Sequence, residues 1–360
     1  MSTPESISPQ TLRIIDASVN RAAEGLRFLE DTARFLLNDT GLTTQLKTIR
    51  HVIISSDWPF QKQLIQSRDA LGDVGAQLEV EGGRDKKNLA SAIVANSRRV
   101  QEALRTLEET AKIEGETLPV GSAQFQQARF EMYTIEKNLL SRLLRRDKAK
   151  LIKGLYAVID TQSLKGRAHL EVTRQIIKGG AKIIQLRDKT TLKKELLAIA
   201  QGMQDLCTEQ DALFIMNDNL DIALAVKADG LHIGQEDLPV SVARKLAPMD
   251  MLIGCSASDV REAQQAVTDG ADYLGVGAIF PTPSKENANV IGLEPLRQIR
   301  QAISVPVVAI GGININNVIE VKKAGADSFA AIGALLGTDA PEKAARAIIK
   351  SFEGKNGEIN

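Results

Sequence analysis

The sequence predicts an α/β protein in which a C-terminal (β/α)8 TIM barrel follows an all-helical N-terminal domain. With 360 residues, the chain is too long for one ordinary hydrophobic core. From residue 151 onward, short apolar runs alternate with helical patterns. Residues 10–147 instead show helical periodicity without an alternating strand pattern. We place the boundary in the basic segment after Leu144, which gives a helical domain at 1–147 and a barrel domain at 148–360.

Eight apolar runs predict the strands of the barrel. Each has four or five residues, which fits a parallel strand that is buried on both faces. Each is followed by a helical segment or by a loop that leads to one, and eight such units within about 200 residues are typical of a closed βα barrel. The runs are 155–159, 182–186, 213–216, 230–233, 251–254, 273–276, 307–310 and 328–332.

An internal repeat predicts how the helical domain is built. Residues 17–34 match residues 95–112 at a constant offset of 78 residues, so that Glu24 aligns with Glu102. We expect the two related helices to pack as a pseudo-symmetric pair. Each helix also carries a polar stripe at helical spacing. The stripes are either solvated faces with ion pairs or the facing walls of an anion pocket. They consist of Asn20, Glu24, Arg27, Asp31, Arg98, Glu102, Arg105 and Glu109.

Composition argues against several classes of partner. Lys+Arg and Asp+Glu number 45 each, so the net charge gives no sign of a nucleic acid or membrane partner. No run of about 18 apolar residues could span a membrane, and the first residues lack the basic start and apolar run of a secretory signal. Cys207 and Cys255 have no metal or redox spacing. We expect a cytoplasmic protein that acts on small molecules, and a homo-oligomer is compatible with this.

Two carboxylates follow neighbouring predicted strands. Asp218 ends the run that begins at Phe214, and Asp237 follows the run that begins at Gly230. In βα barrels the chemistry lies at the carboxyl ends of the strands, so both carboxylates are expected at the same face. Two hard oxygen ligands, with room for water and a substrate phosphate, suit Mg²⁺. The sequence therefore predicts a magnesium site formed by Asp218 and Asp237.

Three cationic side chains are expected beside this acidic pair. Arg187 and Lys189 follow the second strand, and Lys285 follows the sixth. With Mg²⁺ they carry a charge of +5 against −2 from the two carboxylates, and a diphosphate of roughly −3 brings the total near zero. The mouth of the barrel is therefore predicted to bind one diphosphate together with its metal.

A separate phosphate site is expected after the last two strands. Gly311, Gly312 and Gly333 let the backbone come close to an anion, and the corresponding loops of such barrels commonly bind phosphate. Glycine pairs also form simple tight turns. The polar segment 281–292 is either a lid over the substrates or an ordinary surface loop. His232 either contacts a substrate or is a satisfied core residue.

Five short motifs of the C-terminal half carry a family resemblance. They are Gln185 to Lys189, Asn217-Asp218, Ala228 to Asp237, Pro281 to Lys285, and Gly311 to Ile313. In combination they resemble thiamine phosphate synthases over roughly residues 151–353. The resemblance implies that 4-amino-2-methyl-5-(diphosphooxymethyl)pyrimidine is joined to 4-methyl-5-(2-phosphooxyethyl)thiazole, giving thiamine phosphate and diphosphate. These substrates are called the pyrimidine diphosphate and the thiazole phosphate below.

The same resemblance implies a role for each site residue. Asp218 and Asp237 hold Mg²⁺, and catalysis of diphosphate release falls to Arg187, Ser256 and Lys285. The family often has serine at the position of Gly333, so one hydroxyl donor is missing here while backbone N–H donors remain, and we expect weaker thiazole phosphate binding at most. The residues implied for the pyrimidine diphosphate are Gln185, Arg187, Lys189, Asn217, Ser256 and Lys285. Those implied for the thiazole phosphate are Thr282, Ser284, Gly312, Ile332 and Gly333.

The N-terminal half carries a second resemblance, through residues 13–17, 20–31, 73–75 and the second repeat. It resembles the helical domain that is fused to this synthase in some bacteria and that looks like a kinase for the pyrimidine monophosphate. Such a domain would make the diphosphate that the barrel consumes. Spacing alone yields no nucleotide site. The candidates for its pocket are Glu24, Arg27, Glu102 and Arg105.

Three other functions stay open. A thiazole tautomerase of the same barrel type would need no diphosphate site. A phosphosugar epimerase or synthase would use the glycine-rich phosphate loops but not the second anion site. The acidic pair with its three cations argues against both. The helical half is also compatible with an oligomerisation or regulatory module.

Overall fold

The structure, a computed structural model, describes residues 7–53, 61–69, 88–113, 118, 120–282 and 289–354. The chain divides into two compact units, Met1–Leu144 and Arg145–Asn360. In the described residues the first unit is helical and the second is a closed eight-stranded barrel with surrounding helices. The predicted fold class is therefore confirmed. No helix among the described residues is long and apolar enough to cross a membrane.

The helical unit begins with a helix that its sequence caps well. The hydroxyl of Ser8 accepts a hydrogen bond from the Thr11 N–H, and Pro9 stands in the first turn. A capping box of Asn88 and Ser91 starts the second repeat helix. The described helices are α1 (Pro9–Asp31), α2 (Thr40–Ile53), α3 (Gln61–Gln66), α4 (Leu89–Thr110) and α5 (Ser122–Ala149), with a π-helical turn at Thr32–Leu36.

The two repeat helices, α1 and α4, pack directly on each other, as the repeat predicts. A Cβ atom on Gly25 would lie 2.5 Å from Val100 Cγ2 and 3.1 Å from the Asn96 carbonyl oxygen, so glycine permits the close approach. The two repeat segments contribute apolar residues at helical spacing to the core of the unit. The fully buried ones are Leu26, Leu29, Ala33, Leu104 and Leu107.

The polar stripes of α1 and α4 are exposed along their whole length. Within them, Arg105 pairs with Glu109 one turn later, at 2.8 Å. This favours the interpretation as solvated faces. The acids that the helices bury are instead Glu30 and Glu108, which are equivalent in the repeat and pair with Arg50 and Arg129, respectively. Burial opposes the ionisation of Glu108, but its cationic partners outweigh this and lower its pKa.

The barrel strands follow one another around the sheet in sequence order, and β8 closes against β1. All eight predicted strands are present, with ends that differ from the predicted ones by at most three residues. The strands are β1 (Gly154–Asp160), β2 (Ile183–Arg187), β3 (Leu213–Asn217), β4 (Gly230–Ile233), β5 (Leu252–Ala257), β6 (Tyr273–Val276), β7 (Val307–Ala309) and β8 (Ser328–Ala331).

Alternate faces of these strands form two apolar layers. One layer lies between strands and helices, and it includes Phe214 and Leu274. The other fills the barrel interior, and it includes Ile183, Ile215 and Leu252. The surrounding helices are α6 (His169–Lys178), α7 (Lys193–Glu209), α8 (Leu220–Ala225), α9 (Val240–Leu246), α10 (Val260–Thr268), α11 (Leu293–Ala302), α12 (Val318–Lys323), α13 (Gly333–Leu336) and α14 (Pro341–Glu353), with a 3-10 turn at Thr161–Leu164.

The basic segment after Leu144 is helical and belongs to the end of α5. Arg145 donates to Asp272 at 2.9 Å, and Asp272 also contacts Arg244 and accepts the Ile253 N–H at 2.9 Å. Asp272 directly precedes β6, so these ion pairs lie at the amino ends of the strands. These contacts hold Arg145 at the amino ends of β5 and β6, and the polar strand ends lie at the opposite end of the barrel.

Candidate active site

A cavity of about 720 Å³ opens at the carboxyl ends of the strands. Eleven of the residues that the sequence predicts for the active site line this cavity, although they come from separate loops and strands. Ser284 and Lys285 lie outside the described residues, as does half of the predicted lid, although Asn289 and Ile291 line the cavity. The eleven are Gln185, Arg187, Lys189, Asn217, Asp218, Asp237, Ser256, Thr282, Gly312, Ile332 and Gly333.

Asp218 and Asp237 lie close enough for each carboxylate to affect the ionisation of the other. Burial and Asp237 raise the pKa of Asp218, against the opposing effect of its contact with Lys189. Burial also opposes ionisation of Asp237. The Gly234 N–H, which donates to its carboxylate at 2.8 Å, and the hydrogen bond with Asp218 outweigh burial and lower the pKa of Asp237. Asp218 has a left-handed backbone (φ +60°), with its N–H donating to the His232 carbonyl at 2.8 Å.

The paired carboxylates fit a magnesium ion. Two like charges held together ionise fully only when a cation compensates them. Within the described residues, no group of three or more His, Cys, Asp or Glu side chains is arranged for a metal. Asp218 and Asp237 would therefore supply two oxygen ligands and leave the remaining positions to water and phosphate, which is the coordination that Mg²⁺ prefers.

Arg187 is held by a carboxylate that sequence reasoning missed. Its Nη1 donates to Asp160 Oδ1 at 2.6 Å, and the side chain of Asp160 is 5% exposed. Asp160 also accepts the Ser163 N–H at 3.1 Å and the Ser163 hydroxyl at 2.6 Å. The signal was available, since Asp160 directly follows the first predicted strand. Counting it lowers the predicted net charge at the mouth, with Lys285 included, from +3 to +2.

Asp188, within the same motif, fixes the loop that carries Arg187 and Lys189. Its carboxylate accepts the N–H groups of Thr190 at 2.9 Å and Thr191 at 2.8 Å. It also accepts the hydroxyl of Thr161 at 2.7 Å. Burial opposes ionisation, but these donors outweigh it and lower the pKa of Asp188 to about 2. The loop after β2 is therefore rigid where the two cations leave it.

The backbone requires glycine after β7 but not after β8. Gly311 and Gly312 have φ angles of +102° and +64°. A Cβ on Gly311 would lie 2.6 Å from Ala278 Cα, and one on Gly312 would lie 2.4 Å from the Pro281 carbonyl oxygen. Both glycines are thus required by the backbone itself. Apart from its own neighbours in the chain, no atom of the described residues lies within 4 Å of a Cβ position on Gly333, so the described part of the cavity has open space there.

His232 lies at the wall of the cavity and is also tied into the barrel interior. Its Nδ1 lies 3.3 Å from the Tyr273 hydroxyl, and its Nε2 lies 3.1 Å from Ser256 Oγ. Burial lowers the pKa of His232 to about 4, so that the imidazole is neutral at pH 7. The hydrogen bonds favour a satisfied core residue, and because the side chain also lines the cavity, a contact with a substrate stays a prediction.

Comparison with known proteins decides the family. Residues 155–335 match the thiamine monophosphate synthase family, and residues 13–138 match the ThiD2 family. A thiamine-phosphate synthase from Prochlorococcus marinus subsp. pastoris is 37% identical over 99% of this chain and 100% of its own length. The chain belongs to the thiamine-phosphate synthase family. The resemblance carried by the strand-end motifs is thereby confirmed.

Other members of the thiamine-phosphate synthase family show how the match is distributed. The thiamine-phosphate synthase of Synechocystis is 37% identical over 98% of this chain and 99% of its own length. That of Methanospirillum hungatei is 50% identical, but it covers 51% of this chain and 89% of its own length. A solved thiamine phosphate pyrophosphorylase from Pyrococcus furiosus matches with a TM-score of 0.53 and 41% identity, over 60% of this chain and all of its own. The family thus includes full-length relatives and shorter ones.

Proposed function

We propose that the barrel joins the pyrimidine diphosphate to the thiazole phosphate, giving thiamine phosphate and diphosphate. The observation that carries this proposal is the single cavity in which the acidic pair, two cations and the glycine loops meet. Relatives named thiamine-phosphate synthase, matched over nearly the whole chain, support the same reaction. A tautomerase or an epimerase would leave the acidic pair and its cations without a role.

The diphosphate end of the cavity is built to stabilise a leaving anion. Arg187, fixed by Asp160, can direct its remaining N–H groups at the diphosphate, and Lys189 adds a second positive charge. Asp218 and Asp237 would hold Mg²⁺, which when bound neutralises charge on the phosphate oxygens. The raised pKa of Asp218 describes the pair with Lys189 in contact but without a bound metal ion.

The reaction needs little acid or base chemistry from the protein. The bond between the pyrimidine methylene carbon and the diphosphate oxygen breaks, and its electron pair leaves on that oxygen. The lone pair of the thiazole nitrogen forms the new carbon–nitrogen bond. The electron-rich aminopyrimidine spreads the positive charge that develops on the methylene carbon. Holding both substrates in one cavity supplies much of the reduction in barrier.

Incubation of the full chain with both substrates and Mg²⁺ tests this proposal, with the product identified by mass. We expect thiamine phosphate and diphosphate in equal amounts. Conversion of a thiazole alone, without release of diphosphate, would instead identify a tautomerase. The melting temperature gives an independent measurement, since the barrel should be stabilised by diphosphate with Mg²⁺ and by the thiazole phosphate.

For the helical unit we propose a kinase that phosphorylates the pyrimidine monophosphate. The proposal is supported by the ThiD2 family match over residues 13–138, the same region whose motifs resemble the fused helical domain. The full chain, given the pyrimidine monophosphate, ATP, Mg²⁺ and the thiazole phosphate, should then form thiamine phosphate and ADP. If thiamine phosphate forms from the pyrimidine diphosphate but never from the monophosphate with ATP, the helical unit has another role, such as regulation or oligomerisation.

A further inference from the structure

A continuous series of four hydrogen bonds crosses the barrel at the wall of the cavity. Gln185 Nε2 lies 2.8 Å from the Tyr156 hydroxyl, which lies 2.9 Å from the Tyr273 hydroxyl. The series continues from Tyr273 to His232 Nδ1 at 3.3 Å, and from His232 Nε2 to Ser256 Oγ at 3.1 Å. We call these five side chains the interior chain. They come from five different strands, and each of them lines the cavity.

The neighbouring strands are shaped to admit the interior chain. A Cβ atom on Gly254 would lie 2.1 Å from Tyr273 Cζ, which no side chain could tolerate. A Cβ on Gly275 would lie 2.9 Å from His232 Cε1. The two glycines therefore clear the paths of the two rings. The interior chain is a built feature of the fold rather than a chance set of contacts.

Counting hydrogens gives the interior chain a direction. The amide of Gln185 donates to Tyr156, and burial raises the pKa of both tyrosines, so each hydroxyl keeps its hydrogen. Within the described residues, the acceptor left for Tyr156 is Tyr273, and the acceptor left for Tyr273 is His232 Nδ1. Buried hydroxyls need such acceptors. Because Nδ1 accepts from Tyr273, the imidazole carries its hydrogen on Nε2 and donates it to Ser256.

The two ends of the interior chain consequently offer opposite groups to a ligand. Gln185 uses Nε2 within the chain, and within the described residues its Oε1 accepts no hydrogen bond. Ser256 accepts from His232, which leaves its own hydroxyl hydrogen to be donated elsewhere. One end is thus an acceptor and the other a donor. An exocyclic amino group suits the first, and a phosphate oxygen suits the second.

We propose that the interior chain fixes Gln185 as an acceptor and Ser256 as a donor, and thereby selects a pyrimidine with an exocyclic amino group over its oxo analogue. Tyr156, Tyr273 and His232 are then positioning residues for the proposed reaction, on which this inference rests. An oxo group would place its oxygen against Gln185 Oε1, so that two acceptors would oppose each other. Sites built to hydrogen-bond one group reject an analogue that cannot form the bond.

The variant Tyr273→Phe separates this role from a merely structural one. It removes the acceptor of the Tyr156 hydroxyl hydrogen and leaves the shape of the ring nearly unchanged. The Tyr156 hydrogen then finds its acceptor in Gln185 Oε1, and the Gln185 amide turns its NH2 group toward the ligand. Affinity for the oxo analogue should therefore rise relative to the amino compound, whereas simple loss of packing would weaken both alike.

Titration calorimetry with the amino and the oxo pyrimidine diphosphates, each with Mg²⁺, tests the inference on the full chain. We expect the wild type to prefer the amino compound by about 100-fold or more. Tyr273→Phe should move that ratio by at least about 10-fold toward the oxo compound, which corresponds to one hydrogen bond. Tyr156→Phe, which frees the Gln185 amide, should bring the ratio toward one. Tyr133→Phe, a tyrosine of the helical unit, is the matched control and should leave the ratio unchanged.

An unchanged ratio in the folded variants, or a wild type without preference, would overturn the inference. If Tyr273→Phe does not fold, Tyr156→Phe decides alone. The outcome is separable from that of the proposed function, because binding is measured without turnover. A wild type that makes thiamine phosphate while its variants keep the wild-type ratio would retain the function and lose the inference. If the wild type prefers the amino compound, its variants lose that preference, and no thiamine phosphate forms, the inference is retained and the proposed function is lost.

Discussion

At the scale of single residues, the cavity depends on side chains that hold other side chains. Arg187 is fixed by Asp160, which is itself bound to Ser163. A guanidinium can make such a pair and still direct further N–H groups at a phosphate, because its five donors are arranged in a planar fork. A lysine in the same place has one ammonium group to divide between the carboxylate and the ligand.

Arg187→Lys should therefore lower kcat/KM for the pyrimidine diphosphate by about 10-fold to 100-fold, because the charge stays while the fixed fork is lost. The KM for the thiazole phosphate should stay unchanged. Steady-state kinetics with each substrate varied in turn measures both values. Arg261→Lys, an exposed arginine of α10, is the control. A higher KM for the thiazole phosphate, with kcat/KM for the pyrimidine diphosphate unchanged, would contradict a role at the diphosphate.

Gly333 is the position at which we expect the family often to have serine, and the described residues leave open space around its Cβ position. Gly333→Ser should lower the KM for the thiazole phosphate about three- to ten-fold, since a hydroxyl would add one hydrogen bond to a charged group. Gly333→Ala fills the same space without a donor and should not produce the gain. Weaker binding in the serine variant would show that the thiazole phosphate does not approach this turn.

At the scale of elements, the loop after β2 owes its rigidity to one carboxylate. The pKa of Asp188 is about 2 in the folded protein, against an ordinary value of 3.8. Because the folded value is the lower one, its contribution to stability is complete well above pH 4 and is lost as the pH falls toward 2. The difference between a pKa of 3.8 and one of about 2 corresponds to roughly 2 kcal/mol of stability at neutral pH.

Asp188→Asn should therefore reduce the free energy of unfolding of the barrel by about 2 kcal/mol at pH 7, and by about half as much at pH 3. Urea unfolding followed at the two pH values measures this difference. Asp205→Asn, on the exposed side of α7, is the matched control and should cost little at either pH. A cost that does not change with pH would mean that the charge of Asp188 is not what holds the loop.

The elements of the barrel were predictable because each strand is a compact apolar run. Functional side chains of βα barrels lie at the carboxyl ends of the strands, and this rule identified most residues of the cavity. Asp160, at the carboxyl end of β1, follows the same rule. The interior chain could not be derived in this way, since Tyr156 and Tyr273 lie 117 residues apart and meet only when the barrel closes. The sequence also did not show that α5 continues through the basic segment, because charged residues of that segment pair with residues far along the chain.

At the scale of the whole molecule, the repeat predicted that α1 and α4 pack, and they do. The polar stripes, which the sequence left as either solvated faces or pocket walls, are exposed. The acids that these helices bury, Glu30 and Glu108, are equivalent in the repeat, but burial depends on which face meets the neighbouring helices. Periodicity alone does not show that face. The second unit is different, since one end of a closed barrel gathers every strand end, and sequence position then predicts spatial position.

The proposed reaction depends on a cation held by Asp218 and Asp237 where the diphosphate leaves. The most direct test is the rate of diphosphate release as a function of Mg²⁺ concentration, in the wild type and in Asp218→Asn. We expect saturation with Mg²⁺ in the wild type and a loss of at least about 100-fold in the variant, while Asp221→Asn, an exposed acid of α8, stays at the wild-type rate. Release by Asp218→Asn at the wild-type rate and with the wild-type dependence on Mg²⁺ would contradict the account.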